Sequence, residues 1–154
     1  MGFDLYGMNP KIKREGNDIH PFSNSPEQEE INWKINAETG NYFRNTRVYW
    51  VTLASYIVEF TDVLDKKDKK LFFYNENHFI SGNKALLLSL QLQNLINTGH
   101  TLECIKDVKP VESVKEIKQN GKKEFIKELF IPFDVENVQV FTTFCKNSGG
   151  FRIN

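Results

Sequence analysis

This sequence lacks most of what would announce a chemistry. Its two cysteines, Cys104 and Cys145, lie far apart and form no metal-ligand spacing. The chain therefore reads neither as a disulfide scaffold nor as a zinc module, and both sulfurs read as free thiols. Its three histidines, His20, His78 and His100, form no HxxxH, HxH or H-x-E pair. A phosphate-cradling G-x-x-x-x-G-K-[ST], a dinucleotide-type G-x-G-x-x-G and a G-x-S-x-G elbow are all missing. Charge of one sign is missing too, with 20 basic residues against 20 acidic. A sequence-independent nucleic-acid binder needs a cationic surplus to displace counterions, so no DNA or RNA partner is expected. No apolar run approaches bilayer-spanning length, and no basic segment followed by a hydrophobic one opens the chain. From these absences we expect a cytoplasmic protein that is not an enzyme, has no membrane contact and needs no cofactor or metal. Asp62, Asp65 and Asp68 stand at three-residue steps, but interleaved lysines make a solvated helix terminus the better reading.

What is present is aromatic. Thirteen phenylalanines, five tyrosines and two tryptophans sit among 154 residues. That length fits a single domain over 1–154 with a sizeable core. The organising stretch runs from Gly40 to Leu64. Trp50, Leu53, Ala54, Ile57 and Phe60 recur at three- and four-residue steps, and Val63 or Leu64 adds a turn, predicting a central helix over 47–64. A second helix is predicted over 82–98, capped by Ser81, lined by Ala85, Leu88, Leu92, Leu95 and Ile96, and closed by Gly99. Leu86, Leu87 and Leu90 widen its apolar surface, which points to burial on a second side or to a homo-oligomer. A third helix, 135–146, has Asp134 as its cap and places Val138, Phe141 and Cys145 on one face. A short helix from Pro26 to Asn36, capped by Ser25, lies within a long surface excursion over about 11–39.

Residues 2–7 alternate Phe3 and Leu5 with Asp4 and Tyr6, and the terminal Phe151 and Ile153 repeat that one-sided pattern. Both ends read as strands, paired in one small sheet. The fold class expected is therefore α+β, a helical layer on a small sheet that includes both terminal strands. Leu71–Tyr74 reads as a strand or a connector. Across 101–127 the pattern is weak. Short helices are the leaning, with Asn120-Gly121 as the signature of a type I′ hairpin if strands flank it.

Ahead of the central helix, Tyr42-Phe43-Arg44-Asn45 combines two rings, a planar cation and an amide. Those groups recognise small, polar, aromatic ligands. Tyr6 and Asn9 follow the first strand, and glycines 7 and 40 would let backbone approach a ligand closely. The expected ligand site is thus Tyr6, Asn9, Tyr42, Phe43, Arg44 and Asn45. A structural alternative stands beside it, in which Tyr42 and Phe43 staple the start of the helix while Arg44 pairs with Asp4.

Several of these segments resemble a family of small bacteriophage and prophage proteins. The family opens MGFD-[VL]-YG-x-NP, continues through G-x-YFRN into a Trp-rich helix, and closes with VENV-x-x-F and GGF. Here the matching residues are Met1 to Gly7 with Asn9-Pro10, Gly40 with Tyr42-Phe43-Arg44-Asn45, Val135-Glu136-Asn137-Val138 with Phe141, and Gly149-Gly150-Phe151. The helix departs from the pattern. Val48 and Tyr49 replace two tryptophans, and Val51-Thr52 replaces an Arg-Pro pair. The resemblance implies a phage accessory protein that counters host defence by sequestering a nucleotide immune signal, of the cyclic dinucleotide or cyclic ADP-ribose type, without cleaving it. It further implies a closed homo-oligomer in the infected host's cytoplasm. A protein–protein inhibitor or structural phage component is the alternative, and a nucleotide phosphodiesterase is a third.

Overall fold

The computed structural model describes residues 2–15 and 25–154. The middle of the expected surface excursion, including His20, lies outside the described residues. In chain order the elements are β1 (Gly2–Gly7), α1 (Pro26–Glu38), β2 (Tyr42–Thr46), α2 (Arg47–Phe60), α3 (Lys66–Leu71) and β3 (His78–Ser81). There follow α4 (Gly82–Asn97), α5 (His100–Cys104), a 3₁₀ turn (Ile105–Asp107), β4 (Val111–Gln119), β5 (Lys122–Phe130), α6 (Val135–Ser148) and β6 (Gly150–Ile153).

Four strands form one antiparallel sheet in the order β2-β1-β6-β3. Both terminal strands are central in it, and Leu5 faces Ile153 across the pair. Strand alternation sends Phe3, Leu5, Phe43, Ile80, Phe151 and Ile153 to one face, where they are buried. Helices α2, α4 and α6 cover that face. Trp50 of α2 stacks on Phe3 at 5.6 Å, and Phe43 meets Phe141 of α6 edge-on at 5.3 Å. The fold is therefore α+β, with a helical layer on a small sheet that holds both ends of the chain.

Local chemistry sets most helix starts. Ser25, Ser81 and Asp134 each accept a hydrogen bond from the third backbone N–H of α1, α4 and α6. Gly99, at φ 82°, follows the end of α4 as expected. Cys145 is fully buried among the core side chains.

The expected central helix is cut short. It ends at Phe60, where Thr61 turns extended and its hydroxyl donates back to the Ile57 carbonyl at 2.6 Å. Asp65 then starts a separate helix, α3, through a reciprocal capping box with Asp68. The lysine-rich run is thus a helix of its own, and Val63 and Leu64 lie in the link before it. Phe60 is 38% exposed and Tyr56 takes the buried position instead, because the helix turns its 56 side toward Phe133 and Thr101. Leu71–Tyr74 belongs to the end of α3 and a turn, and the strand there is β3, a few residues on.

The leaning toward short helices across 101–127 holds only as far as Asp107. Beyond it stands a hairpin of two nine-residue strands, β4 and β5, closed by Asn120 and Gly121 at φ 52° and 74°. Those two positive angles are what a type I′ turn requires, and its twist matches that of the flanking strands. Cross-strand pairs Lys115–Glu128, Lys123–Glu116 and Lys127–Glu112 lace it. Its base touches the body through Tyr49 and Phe130, whose rings are 6.2 Å apart. Leu86, Leu87 and Leu90 of α4 remain exposed in the single chain.

Candidate functional site

β2 is the edge strand, and the site residues are distributed around it. Arg44 lies opposite Asp4, and Tyr42 lies opposite Tyr6. The Gly7 N–H donates to the Asn41 carbonyl, so alternation turns the backbone groups of Tyr42 and Arg44 to the outer edge. Along that edge α1 runs beside β2 and touches α6. A groove of about 460 Å³ lies between them, lined among others by Trp33, Phe43, Arg44, Asn45, Tyr49 and Asn137. Its size is in the range of a small-ligand site.

Arg44 projects at the groove's mouth, more than half exposed. Its guanidinium carbon is 6.0 Å from the Trp33 ring centroid, and its Nε is 3.8 Å from the Asp4 carboxylate. That ion pair is long and solvated, and it holds the arginine weakly. Asn45 turns inward. It exchanges two amide hydrogen bonds with Asn137, at 2.9 and 3.0 Å, and its Nδ2 also donates to the Arg44 carbonyl. The N-terminus of α6 is already occupied, because the Asn137 N–H donates to the Asp134 carboxylate at 2.6 Å. An anion in the groove therefore has Arg44 and Lys34 as its donors. Glu30, Asp134 and Glu136 add acceptors, which suit hydroxyl or amino groups of a ligand.

The six residues expected to form one site do not converge. Arg44 and Asn45 line the groove, and Phe43 presents part of its surface there while its ring fills the core. Tyr6 and Tyr42 lie edge to face at 5.1 Å on the sheet face that also carries Asp4 and Arg44, opposite the face of Phe43 and Asn45. Tyr42 is buried, touches Trp33, and donates its hydroxyl proton to Asp4. Burial, with the Asp4 hydrogen bond and charge added, pushes the Tyr42 hydroxyl far above the usual tyrosine pKa, so it stays a donor. Tyr6 is raised as well, by burial first and Asp4 second. Asn9 lies past the end of β1, where its N–H donates to the carbonyl of Ser148, the last residue of α6. Asn137, by contrast, is in the first turn of that helix.

Of the structural alternative one part occurs: Arg44 meets Asp4, at 3.8 Å. The stapling of a helix start does not occur, because Tyr42-Phe43-Arg44-Asn45 is strand. The two glycines also serve backbone contact. A Cβ on Gly7 would stand 1.7 Å from the Gly40 carbonyl oxygen, and one on Gly40, at φ 80°, 2.1 Å from that of Asn147.

Trp33, Tyr49 and Asn137 were missed by the sequence reading. Trp33 had a visible signal: it sits on a helix without a clear apolar stripe, where an isolated large ring has no core to join. Asn137 is part of the VENV segment, read only as a helix start. Tyr49 gave no signal. In comparisons with known proteins, no family model, no curated sequence and no solved structure matches the chain.

Away from the groove, Asp68 is buried and bonded to His78 Nε2 at 2.7 Å and to the Lys84 ammonium at 2.5 Å. His100 is engaged by the Tyr56 hydroxyl at 2.9 Å. Among the described residues no cluster of three or more His, Cys, Asp or Glu side chains has metal-binding geometry. No helix there is long and apolar enough to cross a membrane.

Proposed function

We propose that this protein binds and withholds a nucleotide-derived signal in the groove beside β2, as a bacteriophage accessory protein acting against host defence. The observation that carries this reading is Arg44. It is an exposed guanidinium held over Trp33 at the mouth of an aromatic groove, and its ion pair with Asp4 is a long, solvated one. A planar base finds the rings of Trp33 and Tyr49, a phosphate finds the Arg44 fork and Lys34, and ribose hydroxyls find the carboxylates. Ligands of the cyclic dinucleotide or cyclic ADP-ribose type carry all three groups.

Binding without cleavage fits the same residues. Among the described residues no histidine lines the groove, and Asp134 is committed to the α6 cap. The protein would work as a closed homo-oligomer in the infected cell's cytoplasm, assembled through the Leu86, Leu87 and Leu90 face of α4. The test is incubation with a panel of cyclic nucleotide signals, removal of free ligand, heat release and chromatography. Stoichiometric recovery of one intact nucleotide is the expected result. Recovery of a cleaved product would make the protein a phosphodiesterase.

A second reading, a protein–protein inhibitor or structural phage component, has its own observation. The β4–β5 hairpin exposes Phe125 and Leu129 at 69% and 74%. Exposed large apolar groups on a projecting ribbon suit a protein partner. That reading predicts that no nucleotide is retained by the folded protein.

A further inference from the structure

One row of the sheet crosses all four strands on the face turned away from α2, α4 and α6. It runs Tyr42, Tyr6, Arg152, Phe79, each opposite the next in the strand register. Its two outer members toward β3 are unexplained by the fold. The Nε of Arg152 is buried and has no hydrogen-bond partner among the described residues. No carboxylate lies within 4 Å of this guanidinium among the described residues, and Asp4, the nearest acid by register, is already engaged by Tyr42 and Arg44. A buried N–H without an acceptor is a destabilising arrangement that native structures rarely tolerate without cause. Beside it Phe79, on the edge strand, is 47% exposed, and its ring is in no aromatic pair among the described residues. One side chain thus lacks an anionic acceptor, and its cross-strand neighbour offers an unused flat face.

We propose that Arg152 and Phe79 form a second ligand site, specific for a nucleoside phosphate, with the phosphate on the guanidinium and the base on the Phe79 ring. The site does not depend on the groove. Arg152 is on β6, two strands from β2, and Phe79 is a strand further away. A guanidinium matches phosphate oxygens with paired donors, and a ring on an open sheet accepts any base by stacking. The Tyr6 side chain, between Arg152 and Tyr42 in the row, borders the phosphate position.

The test is calorimetric titration of the full chain with adenosine 5′-monophosphate, adenosine and inorganic phosphate at one ionic strength. The monophosphate is expected to bind about tenfold tighter than phosphate alone, the gain expected of one stacked base. Arg152→Gln should weaken it at least tenfold, while Phe79→Ala should remove the advantage over phosphate and leave phosphate binding unchanged. The titrations are repeated in Arg44→Ala, which weakens the groove of the proposed function and should leave a monophosphate site that Arg152 and Phe79 control. Phe79 is exposed, so its variant keeps the experiment decisive if Arg152→Gln fails to fold. Absence of monophosphate binding, equal affinity for monophosphate and phosphate, or loss of all monophosphate binding in Arg44→Ala would each overturn the proposal. Retention of a signal nucleotide in the groove would be unaffected by any of those results.

Discussion

Asn45 and Asn137, 92 residues apart in sequence, hold each other by two amide hydrogen bonds. The pair ties the edge strand β2 to the first turn of α6 and so fixes one wall of the groove. Replacing either residue with alanine leaves a partly buried amide with a donor and an acceptor unmet. Each single substitution should cost about 1–2 kcal/mol in urea unfolding. The double variant should cost less than the sum, because the second change removes the group left stranded by the first. Additive losses would mean that the two amides do not act as a pair.

Arg44→Ala separates ligand binding from folding. The side chain is exposed and its ion pair with Asp4 is long, so unfolding free energy should change by less than about 1 kcal/mol. Affinity for the retained nucleotide should fall at least about tenfold by calorimetry. A large loss of stability with unchanged binding would make the arginine structural.

Trp50 is buried completely and donates its indole N–H to the Phe72 carbonyl at 2.7 Å. Trp50→Ala should therefore cost about 3–5 kcal/mol in denaturant unfolding. Trp50→Phe should recover part of that by refilling volume, yet leave the carbonyl of Phe72 unpaired.

The Asp68 cluster sets an acid limit. Burial opposes ionisation of Asp68, but hydrogen bonds from Lys84, His78 and the Asp65 N–H outweigh it and hold the carboxyl below the ordinary range. A depressed carboxyl contributes stability that is fully present above its unfolded value and is lost as pH falls through the folded one. Unfolding midpoints should hold down to about pH 4 and drop below it. Lys84 is raised by the same bonds, first that from Asp68, so its share is lost only above the ordinary lysine range. Asp68→Asn should flatten the acid drop. It should also cost about 2 kcal/mol at neutral pH, less than a fully buried pair because Lys84 is one-third exposed.

The hairpin should open on its own. It touches the body mainly at its base, and both residues of its turn have positive φ. Gly121→Val places a β-branched side chain at φ 74°, which only glycine and a few polar residues tolerate. Amide exchange across β4 and β5 should quicken markedly while the global unfolding midpoint stays unchanged. Parallel loss of both would show the hairpin to be part of the cooperative core.

What the sequence determined by itself was whatever depends on neighbours in the chain. Ser25, Ser81 and Asp134 announce three helices because a cap satisfies N–H groups only two or three residues away. The stripes of α4 and α6 and the alternation of Phe3, Leu5, Phe151 and Ile153 are equally local, and they placed both ends in one sheet. Tertiary structure decided the rest. Tyr42 to Asn45 carries no helix or strand signal of its own, and it is a strand because β1 supplies its hydrogen bonds and α6 a surface for Phe43. Once it is a strand, its period of two sends adjacent residues to opposite faces. Phe43 and Asn45 turn toward α6 while Tyr42 and Arg44 join Tyr6 and Asp4 on the other face, and Arg44 reaches the groove only because it extends beside Trp33 at the sheet edge. The lysine-rich hairpin was illegible for a related reason, since its stabilising Lys–Glu pairs lie across strands and appear only after the chain has turned.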